Sequence, residues 1–379
     1  MFDIIVVGGN IAGASATINA AKAGVNVALI EKNREPIFPP RCGEATEEIT
    51  AEILNLDKIG CLKNRIKQIK INVSGKKEYN FKIKKHGIFI IDRNSVEKYL
   101  LKNAEQNGAE LFIGRRVINF NPPNEIVLDN KTTLKGKIII DATGISCQIG
   151  KKIRNDIELK PSDVGVCIQS RVEGIFNSDI MKMWYGKPYA PFGYSWLFPK
   201  NEKLANIGIG VPGGQKLDLS NLLEKYIKDE TKGKFKVLNT FRSCVPASKP
   251  LEPLTTDNII FVGDAARFAN PIFENGINNA VFSGSVAGTI AAKFIKGDLS
   301  KLTIYEELMK NKVKRLNKAY YYKNRLTTEK KYFKSYRRFF SLIYSLNKLF
   351  PNILQNQYVK IVKNDKKILD SIQEIKTKG

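Results

Sequence analysis

Gly8, Gly13 and Glu31 stand at intervals suited to holding a dinucleotide. The short apolar run Ile4-Ile5-Val6-Val7 predicts a buried strand, and residues 8–13 a tight turn. Residues 14–23 predict a helix of small residues ended by Gly24, and residues 25–30 a second strand closing at Glu31. Such a β-α-β unit lets backbone approach a pyrophosphate, aims a helix N-terminus at its charge and brings an acid to a ribose hydroxyl. The pattern Gly-x-Gly-x-x-Gly is incomplete, because position 10 is Asn10 with Gly9 beside it. Context supports it: a strand before, an alanine-rich helix after, and Glu31 eighteen residues past Gly13. The competing reading is a βαβ crossover with no ligand.

Other chemistries are poorly provided for. The single histidine, His86, lies beside two lysines, which leaves a Ser-His-Asp or Cys-His arrangement without its usual base. Five cysteines (Cys42, Cys61, Cys147, Cys167 and Cys244) form no C-x-x-C pair, so neither a disulfide framework nor a metal site is expected. The reaction is expected to be carried by a cofactor.

The chain has 379 residues, enough for one large or two to three interleaved domains. A hydrophobic fraction of 43% and a mean hydropathy of −0.24 are those of a soluble globular chain. No apolar run reaches eighteen residues, and no basic flank with a cleavage site precedes Phe2, so the cytoplasm is the expected address. The net charge is +25, and residues 301–379 hold 20 lysines and arginines against 6 acids. That surplus favours phosphate-bearing lipids, a membrane surface or nucleic acid, unless it is only a solvated basic face.

Elements then follow along the chain. Residues 65–91 alternate apolar and polar, as in a sheet with one wet face. Residues 95–107 predict a helix; 110–113 and 137–140 predict strands, the latter leading into Asp141-Ala142-Thr143-Gly144. A second β-rich stretch spans 163–211, with turns expected at Gly186, Gly193 and Gly213. Residues 259–262 predict a last buried strand before Gly263-Asp264-Ala265-Ala266, and 276–295 a long helix. The expected class is α/β with α+β elements. A Rossmann-type nucleotide domain (1–64, 92–162 and 250–300) is interrupted by a β-sheet substrate domain (65–91 and 163–249) and followed by a basic C-terminal helical region (301–379).

Four stretches covering most of residues 1–295 resemble the p-hydroxybenzoate-hydroxylase-like flavoproteins. They are the β-α-β start, Arg93 within Ile90-Ile91-Asp92-Arg93-Asn94-Ser95, Asp141–Gly144, and Gly263-Asp264-Ala265-Ala266 with Asn270-Pro271 and Gly276-Ile277-Asn278. The resemblance implies FAD, held by Gly8, Ala12, Gly13, Glu31, Lys32, Arg41, Cys42, Gly43, Ala45, Arg93, Val117, Asp264, Gly276, Ile277 and Asn278. It places Asp264 on a ribityl hydroxyl and the N–H groups near 276–278 on the flavin's pyrimidine edge. Two departures stand out: Thr143-Gly144 where the family often has Asp-Gly, and Glu274-Asn275-Gly276 where it has Gly-Glu-Gly. They leave the reductant open among NADPH, ferredoxin and another low-potential donor.

Two strings resemble the archaeal geranylgeranyl reductases within that superfamily. One is Pro191-Phe192-Gly193-Tyr194-Ser195-Trp196-Leu197-Phe198-Pro199, which fits P-x-x-Y-x-W-x-F-P. Alternation puts Tyr194, Trp196 and Phe198 on one strand face, a wall for a flexible polyene substrate or simply a packed core. The other is Arg41-Cys42-Gly43-Glu44; in similar reductases this Cys-Gly pair lies beside the isoalloxazine and the reacting double bond. The resemblance implies hydride from flavin N5 and a proton from a nearby acid, with Cys42 the catalytic candidate and an inert buried cysteine the alternative. Geranylgeranyl diphosphate or digeranylgeranyl-glycerophospholipids are the implied substrates.

The aromatic and basic segments 320–323, 332–334 and 336–340 fit a helix packed on the protein, with peripheral contact at the membrane inner face second and nucleic acid a distant third. Rival functions are a flavin monooxygenase or halogenase, a tRNA-modifying flavoprotein, and an electron-transfer flavoprotein, for which the cysteines offer no iron–sulfur ligand set.

Overall fold

In strand Phe2–Val7 the apolar residues Ile4, Ile5, Val6 and Val7 are buried because the strand lies at the centre of a parallel sheet. It pairs with Val27–Glu31 on one side and Thr133–Asp141 on the other; Glu110–Ile113 and Ile259–Phe261 extend the parallel run. Helix Ile11–Lys22 crosses between the first two strands, so the β-α-β expectation holds. It packs against helix Ile277–Ile295 through small residues: a Cβ on Gly284 or Gly288 would collide with the backbone of Ala12 or Ala16. The computed structural model describes residues 1–35, 41–83, 87–326, 328–349, 363–372 and 374; His86 falls outside them.

A second sheet of seven strands runs in the spatial order Lys236–Pro246, Val164–Glu173, Leu204–Pro212, Ala190–Pro199, Ile180–Gly186, Gln68–Val73, Lys77–Lys82. All its neighbours are antiparallel except Ile180–Gly186 with Gln68–Val73. Segment 65–91 divides: its middle joins this sheet, while Leu62–Ile66 and Ile88–Ile91 pair with each other beside Ala45–Glu47 in a small third sheet. Gly193 sits inside a strand rather than at a turn, since a Cβ there would strike the Gly210 carbonyl on the adjoining strand.

The two faces of the large sheet have different covers. On one, Leu223, Tyr226 and Ile227 of helix Leu219–Thr231 pack on Ile207 and Ile209. On the other, Tyr332, Phe333, Tyr336 and Phe340 of helix Glu329–Leu349 pack on Tyr79 and Tyr185. The aromatic side of the basic tail is therefore core, which accounts for its spacing. No helix among the described residues is long and apolar enough to cross a membrane.

Candidate active site

A cavity of about 200 Å3 opens at the C-terminal ends of the parallel strands, bordered by Gly8, Glu31, Lys32, Arg41, Arg93 and Val117. Its glycine turn tolerates no side chain. Gly8 has φ +104°, and a Cβ there would strike the Ala142 carbonyl; one on Gly13 would strike the Gly8 carbonyl. Glu31 accepts the Gly9 N–H at 2.7 Å on one oxygen, and the Asn33 N–H and side-chain amide at 2.8 and 2.7 Å on the other. A carboxylate has about four lone-pair positions, so one remains for a ribose hydroxyl.

Two helix N-termini, at Asn10 and Gly276, lack a side-chain cap and keep backbone donors for a ligand. Because Ala12 meets Gly284 and Ala16 meets Gly288, the helices run the same way. The second begins about six residues, roughly 9 Å, ahead of the first. A glycine turn, an acid, Arg41 and Arg93, and two offset donor ends suit an elongated ligand with a pyrophosphate and a carbonyl-bearing ring. These residues fit FAD.

Arg93 links that cavity to the large sheet. It opens helix Arg93–Gln106, pairs with Glu97 at 2.8 Å, and turns its guanidinium to Cys42 and Asp264. Burial opposes its charge, but Glu97 and Cys42 outweigh that and hold the guanidinium above its ordinary range. Burial also raises the Asp264 carboxyl, with Arg93 offsetting part of the rise.

The sheet presents three rows of side chains to this region. The register aligns Cys167, Gly210 and Tyr194 in one row, Gln169, Gly208 and Trp196 in the next, and Arg171, Asn206 and Phe198 in the third. The rings of Tyr194 and Trp196 lie 5.6 Å apart, and those of Trp196 and Phe198 6.2 Å, so the three expected aromatics do form one wall. Trp196 lies over Gly208 and donates its indole N–H to Gln169 at 2.8 Å. Gln169 in turn donates to the Cys42 carbonyl at 3.0 Å. A Cβ on Gly43 would come within 2.9 Å of the Phe198 ring, so the Cys42-Gly43 loop sits against the wall.

Glu44 anchors the loop. Wholly buried, it accepts from Arg171 and Lys200 at 2.7 Å each, from Asn206 at 2.8 Å and from the Arg93 N–H at 2.9 Å. Asn206 also donates to the Gly43 carbonyl at 3.1 Å. The Glu44 φ of +66° makes the sharp bend that aims Cys42 at Arg93 while the carboxylate points into the sheet.

The sequence-derived candidates thus fall into groups. Gly8, Glu31, Lys32, Arg41, Arg93 and Val117 border the cavity; Cys42 and Gly43 lie between it and the aromatic wall. Asp264 and Gly276 adjoin each other, and Gly276 and Asn278 border a second cavity of about 160 Å3, next to Ile277. Ala12 and Gly13 serve close packing, and Ala45 pairs with Ile90 in the small sheet. The sequence reading missed Glu44, Gln169, Arg171, Lys200 and Asn206 as site members. Alternation along strand Val164–Glu173 puts Cys167, Gln169 and Arg171 on one face, a signal within reach had the partner strand been known.

Fold, cavity and offset helix ends define an FAD-dependent oxidoreductase, and residues 3–147 match the FAD dependent oxidoreductase family. Residues 163–245, which form much of the large sheet, match the geranylgeranyl reductase catalytic domain. The chain belongs to the geranylgeranyl reductase family. It is 32% identical over 332 residues to the digeranylgeranylglycerophospholipid reductase of Methanocaldococcus jannaschii, covering 82% of this chain and 83% of that one. A reductase of the same name from Methanococcoides burtonii is 29% identical, covering 78% and 76%. A geranylgeranyl bacteriochlorophyll reductase-like structure from Thermoplasma acidophilum superposes with a TM-score of 0.79 at 26% identity, covering 88% and 90%. A flavin-dependent brominase shares the fold, with a TM-score of 0.75 at 17% identity over 95% and 93% of the two chains.

Proposed function

We propose that this chain uses FAD to reduce the isolated C=C bonds of geranylgeranyl chains on isoprenoid lipids or their diphosphates. One observation carries the reading: the Cys42-Gly43 loop rests on the Tyr194, Trp196 and Phe198 wall, with Arg93 joining it to the dinucleotide cavity. When bound, reduced FAD supplies two electrons and one hydrogen; the other hydrogen arrives as a proton. An isolated alkene is a poor electrophile, so the chain's task is to position it and exclude water. Aromatic faces suit a polyene, which offers area and no hydrogen-bonding groups. The glycine turn and Arg41 hold the pyrophosphate, Glu31 a ribose, and Asp264 with the Gly276 helix end the inner part of the cofactor. Cys42 borders the alkene.

The outward face of helix Glu329–Leu349 extends the reading to a membrane surface. Phe339 is 45% exposed and Leu342 61%, among exposed Lys331, Lys334 and Arg338. Apolar tips among cations suit the headgroup layer of an anionic bilayer, from which a lipid substrate would come.

The test is anaerobic reduction of the purified flavoprotein with dithionite, addition of a geranylgeranyl lipid, and mass spectrometry of the product. A gain of about two mass units per double bond, matched to flavin reoxidation, is expected. Bound flavin with no mass gain across prenyl lipids, but oxygen-dependent turnover of an aromatic substrate, would replace this reading with the monooxygenase or halogenase one.

A further inference from the structure

Glu274 is an acid set into the same sheet face, one row beyond Trp196. A Cβ on Gly165 would come within 2.5 Å of its carboxyl group. A Cβ on Gly210 would lie 3.4 Å from its Oε2 and 3.5 Å from the Trp196 ring. Cys167 Sγ stands 3.8 Å from the same oxygen. The carboxyl therefore rests on bare backbone at the edge of the aromatic wall, about 7 Å along the strands from the row that holds the Cys42 carbonyl. Glu274 also stands two residues ahead of the uncapped helix end at Gly276, in a loop fixed by the Tyr194 hydroxyl donating to the Phe273 carbonyl at 2.9 Å.

We propose that Glu274 is the acid that protonates the alkene, and that Cys42 instead holds the loop that positions it. The inference rests on the alkene-reduction reading above. Cys42 Sγ accepts the Glu44 N–H at 3.2 Å and is approached by the Arg93 guanidinium, so its sulfur serves as an acceptor. Glu274 has no ion-pair partner among the described residues. The groups facing it are Cys167, Tyr185 and Tyr194 on three strands, Tyr332 and Tyr336 on helix Glu329–Leu349, and Lys323 on helix Ile304–Asn324. Lys323 is itself engaged by Asp163 and two backbone carbonyls. Burial pushes the Glu274 carboxyl up to about 7, against smaller opposing effects of Lys323 and Cys167, which keeps much of it protonated at neutral pH.

In the step proposed, the Glu274 O–H bond breaks as the alkene π bond opens. Its proton forms one new C–H bond, and the hydrogen and two electrons from reduced FAD form the other. The alkene is reduced by two electrons, the flavin oxidised by two, and the carboxylate left behind regains a proton from water beside exposed Asn275.

The test uses the full-length flavoprotein and its E274Q, E274D and C42A variants, each checked for flavin content. In single-turnover reoxidation by geranylgeranyl lipid, E274Q should be slower by about 100-fold or more. Wild type should slow above about pH 7; E274Q should lose that limb, while C42A keeps it and E274D recovers part of the rate. A second readout needs no substrate: infrared difference spectra across about pH 5 to 9 should show a carboxyl titrating near 7, absent from E274Q. An E274Q rate within threefold of wild type with its pH limb intact, or a limb lost in C42A alone, overturns the proposal. So does an unchanged infrared titration in E274Q. Wild-type protein that never reduces the lipid refutes the alkene reading, a result separate from the infrared outcome.

Discussion

The indole N–H of Trp196 donates to the Gln169 side chain at 2.8 Å across the bare backbone of Gly208. Gln169 passes the contact on to the Cys42 carbonyl, so an aromatic of the wall and the loop facing it share one hydrogen-bonded chain. Gly208→Ala puts a methyl where the indole ring lies. The expected result is normal flavin content but single-turnover reduction slowed by about 10- to 100-fold, since displacement of about 1 Å has that effect. Flavin absorbance and stopped-flow reoxidation check it; unchanged rates would remove this chain of contacts from the mechanism.

Glu44 carries the negative charge between Arg171 and Lys200, and all three side chains are buried or nearly so. Glu44→Ala removes the buried carboxylate that Arg171 and Lys200 share. A loss of about 3–5 kcal/mol is expected in urea unfolding, because breaking a buried ion pair leaves buried charge less well compensated. The triple variant that also replaces Arg171 and Lys200 with apolar residues should recover part of it.

Glu31 fixes the glycine turn with three of its lone-pair positions and has one left, the one proposed to hold the cofactor. Glu31→Ala should weaken FAD affinity by about 10- to 100-fold, the worth of one hydrogen bond to a charged group. Fluorescence titration of the deflavinated protein measures it, with circular dichroism confirming an unchanged fold.

Stability should depend on pH through Glu274. Its carboxyl is raised by burial from the ordinary value of 4.5 to about 7, so the folded chain binds the extra proton. The contribution is fully present below about pH 4.5 and is lost as pH rises to about 7, on the order of 3 kcal/mol in all. E274Q should flatten that part of the unfolding-versus-pH curve, as measured by denaturant titration of both proteins at each pH.

Phe339→Ser with Leu342→Ser should lower co-sedimentation with anionic vesicles several-fold, and added salt should lower it further. Reduction of detergent-dispersed lipid should be unaffected. Equal vesicle binding by the variant would mean that this helix face does not meet the bilayer.

Much of the chemistry was legible from the chain because it is encoded locally. A strand, a glycine turn and an acid lie within residues 4–31, and their period and spacing are fixed by backbone geometry alone. Tyr194, Trp196 and Phe198 share a face because a strand alternates, whatever it packs against. Likewise the aromatics at 332, 333, 336 and 340 follow a helical repeat and turn inward together.

The rest depends on which distant segments meet, and no local period encodes that. Glu44 finds Arg171 and Lys200 across 127 and 156 positions, through a loop whose placement follows from how two sheets abut. Glu274 shows in the sequence only as a departure from the family's Gly-Glu-Gly, until the glycines of strands Val164–Glu173 and Leu204–Pro212 are seen to make room for its carboxyl. Burial is a property of the assembled core, so the shift that makes this acid useful near neutral pH arises only when these strands and the C-terminal helices close around it.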